Sequence, residues 1–288
     1  MWLYIMFLPT LIFVILFNYL PMLGIRYAFY RYNAFAPPRF VGWVNFERLF
    51  ASSRFWSVFR NTLQISLVNL VLGMIASVGI ALLLNEIGRG YLKRPLQTII
   101  YIPHFMSWVV VASVFQLILS PQNGFINNVL TGTGMLKTPI YFLADEKWWQ
   151  PAFYFINRWK ETGWGTVIYL AALTSINPEL YDSAMIDGAG KLKQALYITI
   201  PCIMPTIVIV TVLQLSRVLN IFESVFVLYN PAVYSVSDVI QTYNYRVGLL
   251  DSDFGYATAV GLFRSFICMF LVLGANYASK RIRGRGIL

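Results

Sequence analysis

An all-α integral membrane protein is the fold class that this 288-residue sequence predicts, and three observations carry it. Hydrophobic residues make up 58% of the chain and charged residues 12%, about half the charged fraction of soluble domains. Six apolar runs reach the roughly 20 residues that cross a bilayer: 2–24, 59–84, 97–119, 152–176, 204–228 and 257–278. The connector between the fourth and fifth runs, 177–200, is amphipathic rather than apolar, and it reads as helix, glycine, helix.

The first run has no basic stretch before it, exceeds the apolar core of a signal peptide and lacks a small-x-small cleavage site after it. It is therefore expected to be the first transmembrane helix, residues 1–25. An external amphipathic connector, 26–58, follows. Its segment Phe40-Val41-Gly42-Trp43-Val44-Asn45-Phe46-Glu47-Arg48-Leu49-Phe50 repeats aromatics and leucines at helical spacing, as a helix lying at the interface does. The rest, 59–288, reads as one transmembrane core containing the loop 177–200. Within it, His104 after Pro103 is expected to be a kink or packing histidine, and Pro121-Gln122-Asn123-Gly124 opens an outer turn. Cys202 and Cys268 have neither disulfide nor metal spacing.

Orientation follows from the connectors. With loop 177–200 inside, the inner connectors and tail hold Arg89, Lys93, Arg94, Lys191, Lys193, Lys280, Arg281, Arg283 and Arg285 in about 45 residues, against a similar number spread over about twice that length outside. Both termini are thus expected in the cytoplasm. The net charge of +10 lies in membrane-flanking loops, so anionic lipid headgroups account for it and nucleic acid is not an expected partner.

In the inner loop, Asn177 is a good N-cap, Pro178 is preset for the first helical turn, and Gly188 can end the helix in the left-handed conformation. Leu180, Tyr181, Ala184 and Met185 share one face. Asp182-Ser183-Ala184, Asp187-Gly188-Ala189 and Ile198-x-Ile200-Pro201 resemble the Glu-Ala-Ala loop of binding-protein-dependent ABC importer permeases, departing from it at three positions. The resemblance continues through Phe40 to Phe50, Phe222-Glu223-Ser224-Val225-Phe226-Val227-Leu228, Thr242-Tyr243-x-Tyr245-Arg246 and Phe254-Gly255-Tyr256-Ala257. It is nearest to the oligosaccharide (maltose-type) permeases, and within them to the branch importing plant- or algal-wall oligosaccharides.

That resemblance implies six transmembrane helices with a cytoplasmic coupling helix, in a bacterial cytoplasmic membrane. The coupling residues would be Tyr181, Asp182, Ser183, Ala184, Asp187, Gly188, Ala189 and Lys191. It also implies a second homologous permease, two ATP-binding cassette ATPases and an external solute-binding protein, with ATP and magnesium in the ATPase partners. The chain itself has no Gly-x-x-x-x-Gly-Lys-Ser/Thr cradle, so it is not an enzyme and no cofactor or metal is expected on it.

Charges also fall inside the spans: Arg158, Lys160 and Glu161, then Arg217 and Glu223, then Arg264. Each costs at least about 2.5–3.5 kcal/mol at bilayer depth and should face the protein interior or a water-filled path. By matched position, the resemblance carries a sugar path onto Lys160, Glu161, Trp164, Gln214, Arg217, Asn220 and Ile221. Neutral sugars need no cation, whereas a uronate does; the alternative is that these cations pair with Glu161, Glu223 or a partner permease. The function expected is ATP-driven oligosaccharide import, with anionic substrates in view. An ATP-independent carrier or channel is the alternative, and neither an inverted repeat nor a Gly/Pro-broken helix pair is evident in its favour. A membrane-embedded enzyme would need clustered nucleophile and base residues, and none is found. Replacing Gly188 with a bulky residue is expected to leave the protein in the membrane but to uncouple ATP hydrolysis from uptake; unchanged uptake in vesicles contradicts the assignment.

Overall fold

The computed structural model describes residues 2–87 and 91–283. Arg89 of the first inner connector and Arg285 of the basic tail lie outside them. The described chain is mostly helical. Its helices are α1 (Tyr4–Phe29), α2 (Val44–Ala51), α3 (Ser53–Glu86), α4 (Lys93–Phe105), α5 (Trp108–Ile118), α6 (Phe125–Gly132), α7 (Glu146–Leu173), α8 (Glu179–Ile186), α9 (Lys191–Leu215), α10 (Glu223–Leu228), α11 (Tyr234–Ser237), α12 (Ile240–Tyr245) and α13 (Phe254–Arg283). Contacts divide the chain into two compact units, Met1–Arg60 with Val239–Ile267, and Asn61–Asp238 with Cys268–Leu288.

In the first unit, the helical expectation for the external connector misses a two-stranded antiparallel hairpin, Tyr30–Asn33 with Ala36–Phe40. Pro37 and Pro38 cannot donate to a ladder, which confines this strand to an edge and hides it from pattern reading. The hairpin is anchored by Asn45, whose Nδ2 donates to the carbonyls of Ala28 at 2.8 Å and Tyr30 at 2.9 Å. Leu49, Phe55, Val58, Ile240, Tyr243, Tyr256 and Val260 form the core of this unit. Inside it the Tyr243 and Tyr256 hydroxyls meet at 3.1 Å, so neither phenol is buried without a partner.

In the second unit, α3, α7 and α9 share a core of Ala81, Tyr169, Leu173, Ile203, Ile207 and Val210. Small residues set how closely the helices approach. A Cβ on Gly163 of α7 would collide with the Ile100 carbonyl oxygen of α4, and one on Gly165 would collide with the Ser77 side chain of α3. At one end, Trp149 is fully buried, stacks on Phe153 at 5.0 Å and donates its Nε1 proton to the Leu228 carbonyl at 3.1 Å. Asn127 gathers the connector after α5, donating to the Leu119, Ser120 and Ile140 carbonyls and accepting the Ile140 N–H at 2.8 Å.

The span pattern departs from the expected six in three ways. Among the described residues, four helices are long and apolar enough to cross a membrane, or up to five if a bent pair counts as one. Helix α7 is not among them; it has 28 residues and carries Arg158, Lys160 and Glu161 in its middle.

The bent pair is the third run, where α4 and α5 meet at 102°. The α-helical part of α4 ends at Tyr101, a tighter 3-10 turn with Pro103 near its start completes it, and Ser107 caps α5 by accepting the Val110 N–H at 3.3 Å. A sharply bent helix pair therefore stands where the sequence pattern had shown one continuous apolar run.

The fifth span begins at Lys191 rather than near 204 and ends at Leu215. The expected loop 177–200 thus ends at Gly190, with Lys191 and Lys193 on the first turn of α9. Pro201 does not interrupt this helix, because the turn before it, Ala195–Thr199, is π-helical and absorbs the missing donor. Gly163→Val is expected to lower the stability of the purified permease by about 1–3 kcal/mol, read as a lower thermal midpoint. Gly79→Ala, whose Cβ meets nothing within 4 Å, should leave that midpoint level or slightly raised.

Candidate functional site

A cavity of about 740 Å³ opens in the second unit between α3, α7 and the segment linking α9 to α10. That segment, 216–222, is not helical. Irregular backbone at membrane depth is tolerated only where it is buried in protein or lines a water-filled space. Here Ser216, Arg217, Val218, Asn220, Ile221 and Phe222 all line the cavity, while tight turns such as Asn220 N–H to the Arg217 carbonyl at 2.9 Å occupy the backbone groups.

From α3 come Ser66, Asn69, Gly73 and Ser77, one polar or small residue per turn along one face of an apolar helix. From α7 come Asn157, Arg158, Glu161, Trp164 and Gly165.

Two kinds of charged group occupy this wall. Glu161 is fully engaged: Lys160 Nζ lies 3.2 Å from its Oε1, and His104 Nδ1 lies 3.1 Å from its Oε2. Lys160 also donates to the His104 carbonyl at 3.0 Å and sits over the Trp108 ring at 5.1 Å. The arginines differ. Among the described residues neither Arg158 nor Arg217 is in an ion pair. Arg158 donates to Asn157 Oδ1 and lies against Gly73, where a Cβ would strike its guanidinium.

The cavity wall also concentrates polar atoms with no hydrogen-bond partner among the described residues: Ser66 Oγ, both amide atoms of Asn69, and Arg158 Nε. Ser66 and Asn69 are 5% and 8% exposed. Each unsatisfied buried group costs about 1–3 kcal/mol, and these atoms are shut off from solvent although their residues line the cavity.

Of the residues singled out in the sequence, Glu161, Trp164, Gln214, Arg217, Asn220 and Ile221 line this cavity. Lys160 does not; it lies behind Glu161 at 5% exposure. His104 stands at the bend between α4 and α5, and its ring is stacked on Trp164 at 5.0 Å with an 8° interplanar angle. Sequence reasoning missed Ser66, Asn69 and Asn157. The stripe Ser66, Asn69, Gly73, Ser77 at i, i+3, i+7 and i+11 in an apolar helix was the available signal.

The second group of singled-out residues surrounds α8. Asn177 Oδ1 accepts the Glu179 N–H at 3.1 Å, and Gly188 closes the helix at φ +75°. No residue of α8 is buried, and Leu180, Met185 and Ile186 are exposed. Two contacts hold the helix to the span after it: the Tyr181 hydroxyl meets Thr199 Oγ1 at 3.0 Å, and Gln194 Nε2 donates to the Ala189 carbonyl at 2.8 Å. Lys191 Nζ pairs with Glu86 at 3.1 Å. Asp182, Ser183 and Asp187 are exposed and Ala184 is half-buried.

Known proteins resemble this chain along almost its full length. Polygalacturonan/rhamnogalacturonan transport system permease protein YteP of Bacillus subtilis (strain 168) is 40% identical, over 99% of this chain and 90% of its own. Protein LplB of the same strain is 37% identical, over 99% of this chain and 91% of its own. A bacterial alginate ABC transporter, solved in complex with an alginate pentasaccharide-bound periplasmic protein, contains a chain that superimposes with a TM-score of 0.91 at 40% identity, covering 99% of this chain and 96% of that one. The family profile of the binding-protein-dependent transport system inner membrane component matches residues 69–284. The chain therefore belongs to that family and is a multi-pass inner-membrane permease of an ABC importer.

Proposed function

We propose that this permease carries uronate-containing oligosaccharides, received from an external solute-binding protein and moved through the cavity between α3 and α7. The observation that carries the reading is the cavity wall itself. Two arginines outside any ion pair share it with unpartnered, nearly fully buried Ser66 and Asn69. A planar guanidinium pairs bidentately with a carboxylate, while Asn69, Gln214 and Asn220 supply amides for hydroxyls and half-exposed Trp164 supplies a face for a pyranose ring. The volume lies within the usual range of small-molecule sites. The relatives support the same chemistry, since one transports polygalacturonan and rhamnogalacturonan and another imports the acidic polysaccharide alginate.

Movement would be driven from outside the chain. In this reading two ATP-binding cassette subunits hold ATP and magnesium, a second homologous permease completes the pathway, and both termini face the cytoplasm. Helix α8 is the coupling helix: its exposed Leu180, Met185 and Ile186 seat in an ATPase cleft, with Asp182 and Asp187 at the rim and Gly188 turning the chain back to α9. Six crossings would then comprise the four apolar helices, the bent α4–α5 pair and the charged α7.

In the assembled transporter, uronate oligosaccharides are expected to stimulate ATP hydrolysis more than neutral ones of equal length, and a neutral preference contradicts the substrate assignment. Asn69→Leu provides a second check, because it removes two unpaired polar atoms. It should hold or raise the thermal midpoint while cutting uptake about tenfold. A drop in stability together with normal uptake would make Asn69 structural.

A further inference from the structure

We propose that Lys160 sets the charge preference of the cavity without touching the substrate, by cancelling Glu161; the proposal rests on the cavity being the route for uronate oligosaccharides. Glu161 lines the cavity with its side chain 32% exposed, whereas the Lys160 side chain is 6% exposed and lies outside the lining. A carboxylate at that position repels an anionic sugar. Two arginines and two glutamates, Arg158, Arg217, Glu161 and Glu223, face the same space. With Glu161 bare, these charges balance and the wall has no net preference for an anion. With Lys160 Nζ held 3.2 Å behind one carboxylate oxygen, the balance becomes positive. Charges a few ångströms apart lie well inside a Debye length, and juxtaposed like charges oppose recognition of an anion.

The surroundings fix Lys160 in that role. Its ammonium is held by three groups: the Glu161 carboxylate, the His104 carbonyl at 3.0 Å and the Trp108 ring. The second Glu161 oxygen faces His104 Nδ1 at 3.1 Å. Both carboxylate oxygens are thus occupied from the protein side, and the lysine has no path to the cavity. Lys160 is a specificity-determining residue acting through Glu161, and the bend at Pro103 is what brings the His104 carbonyl within its reach.

The test is a charge-preference cycle on the fully assembled transporter, reading half-saturation of ATPase stimulation and uptake with uronate and neutral oligosaccharides of equal length. The same solute-binding protein serves every arm, so its own preference cancels between variants. Lys160→Met keeps an unbranched stem over Trp108 and is expected to weaken the uronate response about tenfold while leaving the neutral response within about twofold. Adding Glu161→Gln to it should restore the uronate response to within about threefold of wild type. Glu161→Gln alone should raise the uronate preference, and it keeps the proposal testable where Lys160→Met fails to assemble. An unchanged preference in Lys160→Met overturns the role of Lys160 while leaving the cavity reading intact. Equal loss of both substrates, or a double variant that stays impaired, assigns Lys160 to structure or contact and also overturns it. A wild-type transporter without uronate preference removes the cavity reading and this proposal together.

Discussion

Seating the charges of α7 inside the protein is the constraint on which the arrangement of the second unit depends. An arginine, a lysine and a glutamate fall within four residues of this helix; taking an ion out of water costs several kcal/mol unless it is paired, and their neighbours are built around that cost. Lys160 and Glu161 neutralise one another, with a carbonyl, an imidazole and an indole closing the shell. Arg158 is accommodated differently. Gly73 offers no side chain where the guanidinium lies, Asn157 accepts one of its protons, and its Nε is left unpaired beside the cavity.

Two breaks between helices do the rest. The bend at Pro103 carries His104 to Glu161 and Trp164, and the non-helical stretch between α9 and α10 carries Arg217 and Asn220 to the opposite wall. One break is capped by Ser107 and the other folds into tight turns that line the cavity. Close packing of Gly163 on α4 and of Gly165 on α3 sets how near α7 lies to those two helices.

Much of this was readable from local chemistry. Asn177, Pro178 and Gly188 marked α8 because capping and positive φ are properties of single residues. The apolar runs marked the spans because length and hydropathy are sums. The failures came where neighbours in space decide. Hydropathy cannot see a 102° bend, and it placed the start of the fifth span near 204 where the helix begins at Lys191. The hairpin carries two prolines and paired Arg31 and Arg39, which is poor strand composition, and it stands because Asn45 clamps the backbone beside it. Lys160 was matched to a sugar path by position along its helix, but its direction is set by Glu161 and the folded-back His104 carbonyl, which no spacing rule contains.

The most direct measurement is a structure of the assembled transporter trapped with a uronate oligosaccharide in transit. The account predicts a sugar carboxylate within about 3 Å of the Arg158 guanidinium, a direct hydrogen bond from Asn69, and the Lys160–Glu161 pair intact behind the wall. An oligosaccharide whose carboxylates point away from both Arg158 and Arg217, or one that crosses without entering the space between α3 and α7, contradicts it.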